Sequence, residues 1–154
     1  MRSTIARIAV STILLVLCVM QVAAQSAADL LRKHGLIGTR AMDCAKPPGN
    51  GNPYLIYRIE PDGTVKSDLV VTGSKVVAST TVLSVEETES NMLRITQTAS
   101  ADPGVRVEFD LRLEGNRSRS FRSVSSDGHT FIEAGRMTSN NKETVWLTRC
   151  GSGS

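Results

Sequence analysis

The chain is short of aromatic residues, histidine and cysteine. Its 154 residues hold three Phe, two Tyr, one Trp, two His and three Cys. With three cysteines and no C-x-x-C spacing, neither a cysteine metal site nor a dithiol redox centre is expected. Ser125, Ser126, Asp127 and His129 hold the right residue types for a triad. A triad needs members that converge from separate parts of a fold, whereas neighbours on one hairpin point alternately apart. His34 falls where a short helix would end. No catalytic residue is therefore expected. Glu86, Glu87 and Glu89 lack the oxygen-ligand spacing and glycine turn of a cation loop, so no metal or other cofactor is expected. Sparse aromatics leave no stacking platform for single-stranded nucleic acid. Internal repeats, low-complexity tracts and coiled-coil heptads are absent.

Positive charge is also scarcer than the totals suggest. The chain carries 18 Lys and Arg against 15 Asp and Glu. Arg2 and Arg7 lie in the first 24 residues, which contain no acid. The remainder is nearly neutral, with no cationic excess to draw it to phosphates, and a nucleic-acid partner is not expected.

What the first 24 residues do contain is the order of a secretory signal peptide: Arg2 and Arg7, an apolar run from Ile8 to Met20, then Val22-Ala23-Ala24. Two other readings compete. An uncleaved anchor would want roughly 20 predominantly apolar residues; here 17 residues separate Arg7 from Gln25, with Ser11, Thr12 and Gln21 among them. A lipoprotein would need a small residue before the acylated cysteine, and Leu17 precedes Cys18. The sequence thus predicts cleavage after Ala24 and export, to the periplasm or medium of a bacterium, with no stable membrane span afterwards. That leaves Cys44 and Cys150. In an oxidising compartment two cysteines in a small domain usually pair; the alternative is two free buried thiols. A closed loop of about 100 residues is worth roughly 4–5 kcal/mol in the chain-entropy picture.

Residues 25–154 suit one domain. Ser26 with Asp29 three residues on, Ala27, Leu30 and Leu31 on one face, Arg32, Lys33 and His34 in the last turn, and Gly35 as a stop predict one short helix. The rest reads as strand and turn. Val105, Val107, Phe109, Leu111 and Leu113 alternate with Arg106, Glu108, Asp110, Arg112 and Glu114, a period of two with one dry and one wet face. Strands are also expected over Ile37 to Cys44, Tyr54 to Ile59, Thr64 to Val71, Lys75 to Val85, Met92 to Ala99 and Ser118 to Ser126. Glu86 to Asn91 reads as a polar loop. Asp127-Gly128 marks a tight hairpin. His129 to Thr138 and Glu143 to Cys150 read as a last hairpin over Asn140-Asn141. Eight or nine strands joined by short turns predict an all-β, antiparallel up-and-down barrel preceded by a helix. Closure would remove the exposed edges, and Cys44 and Cys150 would sew the first strand to the last.

Arg112, Arg117, Arg119 and Arg122 gather around one predicted turn. They form a candidate patch for an anionic partner, or else a solvated edge whose charges discourage strand pairing. A barrel of this size either packs solid or holds one small ligand; small residues such as Ser79, Thr81, Ala99 and Ser123 leave room if they face inward.

From Leu36 to Arg40, with Gly38 and Thr39 on a first strand after a short helix and Arg149 late in the last strand, the chain resembles the lipocalin-type barrels. Those proteins carry Gly-x-Trp on the first strand, with a late arginine packed across the tryptophan. Here Arg40 stands where that tryptophan would be. The resemblance implies that Gly38, Arg40, Arg149 and Trp146 close the barrel. The segment Asp29 to Thr39, with Asp43-Cys44 and Trp146 to Cys150, also resembles a group of small uncharacterised exported bacterial proteins. That likeness implies a periplasmic location and no particular activity. Small periplasmic protease inhibitors share the eight-stranded barrel and disulfide. The function these features imply is a non-catalytic module taking a small apolar or amphipathic ligand inside the barrel. The alternative is a protein-interaction or inhibitor role through the N-terminal segment and loops.

Overall fold

The computed structural model describes residues 25–73 and 75–151; the expected signal peptide lies outside them. Helix α1 (Ala27–Lys33) is followed by ten strands: β1 (Gly38–Ala41), β2 (Tyr54–Ile59), β3 (Val65–Thr72), β4 (Lys75–Glu89), β5 (Met92–Ala99), β6 (Arg106–Glu114), β7 (Arg117–Ser125), β8 (Thr130–Glu133), β9 (Arg136–Met137) and β10 (Leu147–Arg149). Neighbours in sequence pair antiparallel from β1 through β7. β10 pairs with both β1 and β7, which closes an eight-stranded barrel. The strand β9 hangs on β8, which hangs on β7.

The helix forms because its ends are satisfied locally. The Ser26 hydroxyl accepts the Asp29 N–H at 3.2 Å, an N-cap. At the other end the Gly35 N–H meets the Arg32 carbonyl at 2.9 Å and the Leu36 N–H meets that of Leu31 at 2.8 Å. This Schellman ending requires a left-handed residue, supplied by Gly35 at φ 62°. Leu31 and Leu36, the apolar pair that accompanies such an ending, are fully buried. They lead a core that includes Leu30, Tyr57, Val65, Val82, Val85, Leu93, Ile95, Phe109 and Leu111. The helix thereby plugs one end of the barrel.

Three expectations need correction. The polar run Glu86 to Asn91 is not a loop: β4 continues to Glu89 and pairs Glu86, Glu87 and Glu89 with β5. The acids are tolerated because they are exposed, and Glu87 is held by the helix end. The final hairpin also differs. β8 turns back at Ala134-Gly135 into the two-residue β9, and only one bridge, Arg136 to Glu143, stands where a ladder over Asn140-Asn141 was expected. β10 is instead claimed by β1 and β7, whose pairing completes the barrel. Finally, the first strand stops at Ala41 rather than running to Cys44. The Asp127-Gly128 hairpin stands, with the Ser125 N–H on the His129 carbonyl at 2.9 Å.

Cys44 and Cys150 are bonded across the β1–β10 seam, with 5.4 Å between their Cα atoms.

Candidate functional site

Register places Leu55 and Tyr57 of β2, Ser67 of β3, Gln97 of β5, Val107, Phe109 and Leu111 of β6, and Ser118 and Ser123 of β7 on the inner face. Away from the helix plug these side chains do not fill the barrel. They line an open-sided cavity of about 370 Å³ with a mostly apolar wall. The reason is side-chain size: β7 presents serines at 118, 120 and 123 where β6 presents Leu113, Leu111 and Phe109 opposite them. Of the small residues expected to face inward, Ser123 lines the cavity, while Ser79 and Thr81 pair with Asp68 and Lys66 on the outer face. The Lys66 Nζ donates to the Thr81 hydroxyl there at 2.6 Å.

One stretch of the cavity wall is not strand. β7 pairs with β10 at Arg117 and Ser118, and with β8 only from Ser123. The gap is bridged by other groups. The Thr144 hydroxyl donates to the Ser120 carbonyl at 2.6 Å, and the Gly135 N–H to the Phe121 carbonyl at 2.7 Å. The Thr144 N–H in turn meets the Gly135 carbonyl at 2.9 Å. This strap brings Glu143, Thr144 and Val145 to the cavity, with Ile132 and Met137 from the β8–β9 hairpin. Sequence reasoning missed these residues because the strap carries no periodicity.

The residues expected to close the barrel do meet at the seam, in an arrangement unlike a stacked tryptophan. Gly38 begins β1 opposite Tyr57, at φ 108°, a backbone open to glycine at little strain. Arg40 is 2% exposed. Its guanidinium donates to the carbonyls of Gly35 at 3.0 Å and Asn116 at 2.7 Å, and reaches that of Leu147 at 3.4 Å. It thus ties the helix end, the β6–β7 turn and β10 together. Arg149 is its cross-strand partner. Among the described residues neither arginine has a carboxylate within ion-pair distance. Burial pulls the Arg40 pKa down, the neighbouring Tyr57 opposes this, and Arg149 adds to the fall; a guanidinium remains a cation regardless. Trp146 lies instead beneath Arg117 and Arg119, whose guanidinium carbons stand 5.1 and 4.9 Å from the ring centre.

Most of the arginine patch is internally neutralised. Arg117 pairs with Glu114 at 2.9 Å and Arg122 with Glu108 at 2.7 Å; Arg119 approaches Glu143 at 3.9 Å. Arg112 lies over Phe121 at 5.8 Å. Arg94 continues the outer ladder with Asp110 at 2.8 Å, a hydrogen bond that holds its pKa up.

The remaining titratable clusters lie outside the cavity. The Asp127 carboxylate accepts the Ser125 hydroxyl and the His129 N–H, which holds its pKa down, first through Ser125. The His129 ring packs edge-on against Phe131, so Ser125, Asp127 and His129 do not form a relay. His34 does meet a carboxylate: the Glu87 oxygen receives both His34 and Lys33. These contacts, Lys33 foremost, hold Glu87 below the usual range and pin the helix end to β4.

Among the residues bounding the cavity Tyr57 is the unusual group. It is 1% exposed and its hydroxyl has no hydrogen-bond partner among the described residues. Ser67 faces it across the ladder and lowers its pKa, against the larger effect of burial. Burial pushes the Tyr57 phenol up to about 12, so it stays a neutral donor.

The molecule belongs structurally to the closed antiparallel β-barrels. Comparison with known proteins finds no matching family model, no matching curated protein and no matching solved structure. The chemistry of the site therefore follows from its own residues.

Proposed function

We propose that the protein is an exported, non-catalytic binding module that takes one small apolar or amphipathic molecule into the barrel. The observation that carries this reading is the open-sided cavity of about 370 Å³ between β2, β6, β7 and the strap. Its volume falls within the roughly 300–1,000 Å³ of small-molecule sites, and an apolar wall with a few placed polar groups is their usual make-up. The small β7 serines opposite Phe109 and Leu111 leave this space open where larger side chains would close it, which favours a space kept for an occupant. The disulfide suits the oxidising surroundings that export would bring.

The inhibitor-type alternative draws less support. Its active segment would be Gln25 to Arg32, and Ala28, Leu30 and Leu31 within it are buried in the barrel plug. They would have to leave the core to enter a protease cleft.

The reading is tested by titrating the oxidised protein lacking residues 1–24 with the neutral apolar fluorophore N-phenyl-1-naphthylamine. Saturable one-to-one binding is expected, abolished in Ser123→Phe, which fills the cavity from its wall. Absence of saturable binding to a folded protein overturns the proposal.

A further inference from the structure

Strand β7 gives the cavity a wall of uncharged hydroxyls. Ser118, Ser120 and Ser123 line it, opposite Leu113, Leu111 and Phe109 of β6. A register shift between Asp110 and Leu111 leaves Phe121 without a β6 partner. That extra residue sets Ser120 and Ser123, three positions apart, on the same face. Ser123 is 8% exposed. Among the described residues neither of these two hydroxyls makes a hydrogen bond; Ser120 engages Thr144 through its carbonyl. The Tyr57 hydroxyl and the Arg119 Nε also lack partners, but both are sealed off, and the two serine hydroxyls are not. An open hydroxyl binds water, and an occupant that displaces the water without returning the hydrogen bond loses affinity. The facing wall, with Leu55, Phe109, Ile132, Met137 and Leu147, is apolar. Charge is offset at this cavity. Among the described residues its two charged liners, Arg119 and Glu143, have opposite signs and stand 3.9 Å apart. Glu143 also holds Arg136 at 2.8 Å, and Arg119 lies over Trp146. An anionic head near Arg119 therefore meets the Glu143 carboxylate, and a cationic head near Glu143 meets Arg119. Either would also give up its hydration to enter an apolar space.

Resting on the binding-module reading, we infer that the cavity selects an uncharged molecule with an apolar body and a hydroxyl or carbonyl oxygen on one edge, and that this oxygen hydrogen-bonds the Ser120 and Ser123 hydroxyls. The body covers the wall formed by β2, β6 and the strap. A plain hydrocarbon of the same shape fills the space but strands the two serines. A charged analogue reaches the serines but pays for its lost hydration beside a pair of side chains that already neutralise each other. Ser120 and Ser123 are then specificity-determining residues, and they act through their hydroxyls rather than through the space they leave.

The test displaces bound N-phenyl-1-naphthylamine with naphthalene, 2-naphthol, 2-naphthoate and 2-naphthylmethylammonium at neutral pH and one ionic strength. It uses the wild-type protein and the double variant Ser120→Ala, Ser123→Ala. In the wild type 2-naphthol is expected to bind about threefold to tenfold more tightly than naphthalene, with both ions weaker than naphthalene. The double variant is expected to bind naphthalene as the wild type does, which reports an intact cavity, and to lose the margin for 2-naphthol. Either ion binding as tightly as 2-naphthol in the wild type overturns the inference without recourse to a variant. So does a double variant that keeps the margin, or a folded one that loses naphthalene as well, which would assign the serines to the shape of the cavity. Failure of all four probes and of the fluorophore overturns the binding reading itself; binding of the fluorophore with no preference for 2-naphthol overturns only the ligand class.

Discussion

At the helix end of the barrel, Leu31, Leu36, Leu93 and Ile95 are fully buried and a capped helix seals the opening. At the other end β7 offers serines, and a strap without strand structure stands in for part of the wall. Both ends belong to the same strands. β6 contributes Leu111 to the packed core and, together with Val107, to the cavity wall. The difference shows that the barrel is not uniformly a stable container. The apolar packing holds the fold together, and that stability lets the β7 side leave space.

The sharpest way to break this division is to remove what both ends share. Replacing Cys44 and Cys150 together by serine releases a sequence separation of 106 residues. It is expected to cost about 4–5 kcal/mol in urea unfolding, lowering both ends alike. A change of less than about 1 kcal/mol would mean that the ladder pairs of β10 close the seam without the bond. Next in size, Leu31→Ala in the plug is expected to cost about 2–5 kcal/mol. Leu55→Ala, on the half-buried cavity wall, should cost well under half of that, since it enlarges a void already present. Equal losses at the two sites would show that the cavity end is packed as tightly as the plug. Trp146→Leu removes the ring from between Arg117 and Arg119 and is expected to cost about 1 kcal/mol, read by the same unfolding curves and abolished in double variants that already lack both arginines.

The smallest effect concerns pH. Glu87 has its folded pKa below the ordinary 4.5 because Lys33 and His34 bind its charged form. A depressed carboxylate stabilises the fold fully above its ordinary value, and that contribution disappears as pH falls through the lower folded value. Amide exchange in α1 should therefore quicken as pH drops below the ordinary 4.5 and through the lower folded value, after correction for intrinsic rates, while amides of β6 stay protected. Glu87→Gln should remove the acid-dependent part. Exchange that responds equally in α1 and β6 would show global unfolding in place of a loosened plug.

Much of the architecture was legible in the chain. The alternation from Val105 to Glu114 declared a half-wet strand, Asp127-Gly128 a hairpin, and Ser26 to Gly35 a capped helix. Each of these signals is local: a repeat of two, a turn residue, a cap. The misses were those where distant pairing overrode local character. Glu86, Glu87 and Glu89 look like a loop, yet β5 pairs with them and the helix end binds one of them. Glu143 to Cys150 looks like half of a hairpin with His129 to Thr138, but β10 is drawn away to β1 and β7. The arginine cluster was visible as composition. That Arg117, Arg119 and Arg122 meet Glu114, Glu143 and Glu108 was not, because charge pairing between strands depends on register. For the candidate site, Ser123 was legible as a small residue and Gly38, Arg40 and Arg149 as a seam. Tyr57 gave no signal, since a tyrosine on an apolar strand face looks the same whether or not its hydroxyl finds a partner.

The chain by itself determined the alternation of apolar and polar residues, the positions of the turns, the helix caps and the small residues on β7. These act over a few bonds and need no knowledge of distant segments. Tertiary structure alone decided that strands β1, β7 and β10 meet, that serines fall opposite Leu113, Leu111 and Phe109, and that Arg40 and Tyr57 share one interior without a carboxylate between them. Whether an interior is full or hollow depends on which side chains face one another across the barrel, and that follows from closure and register.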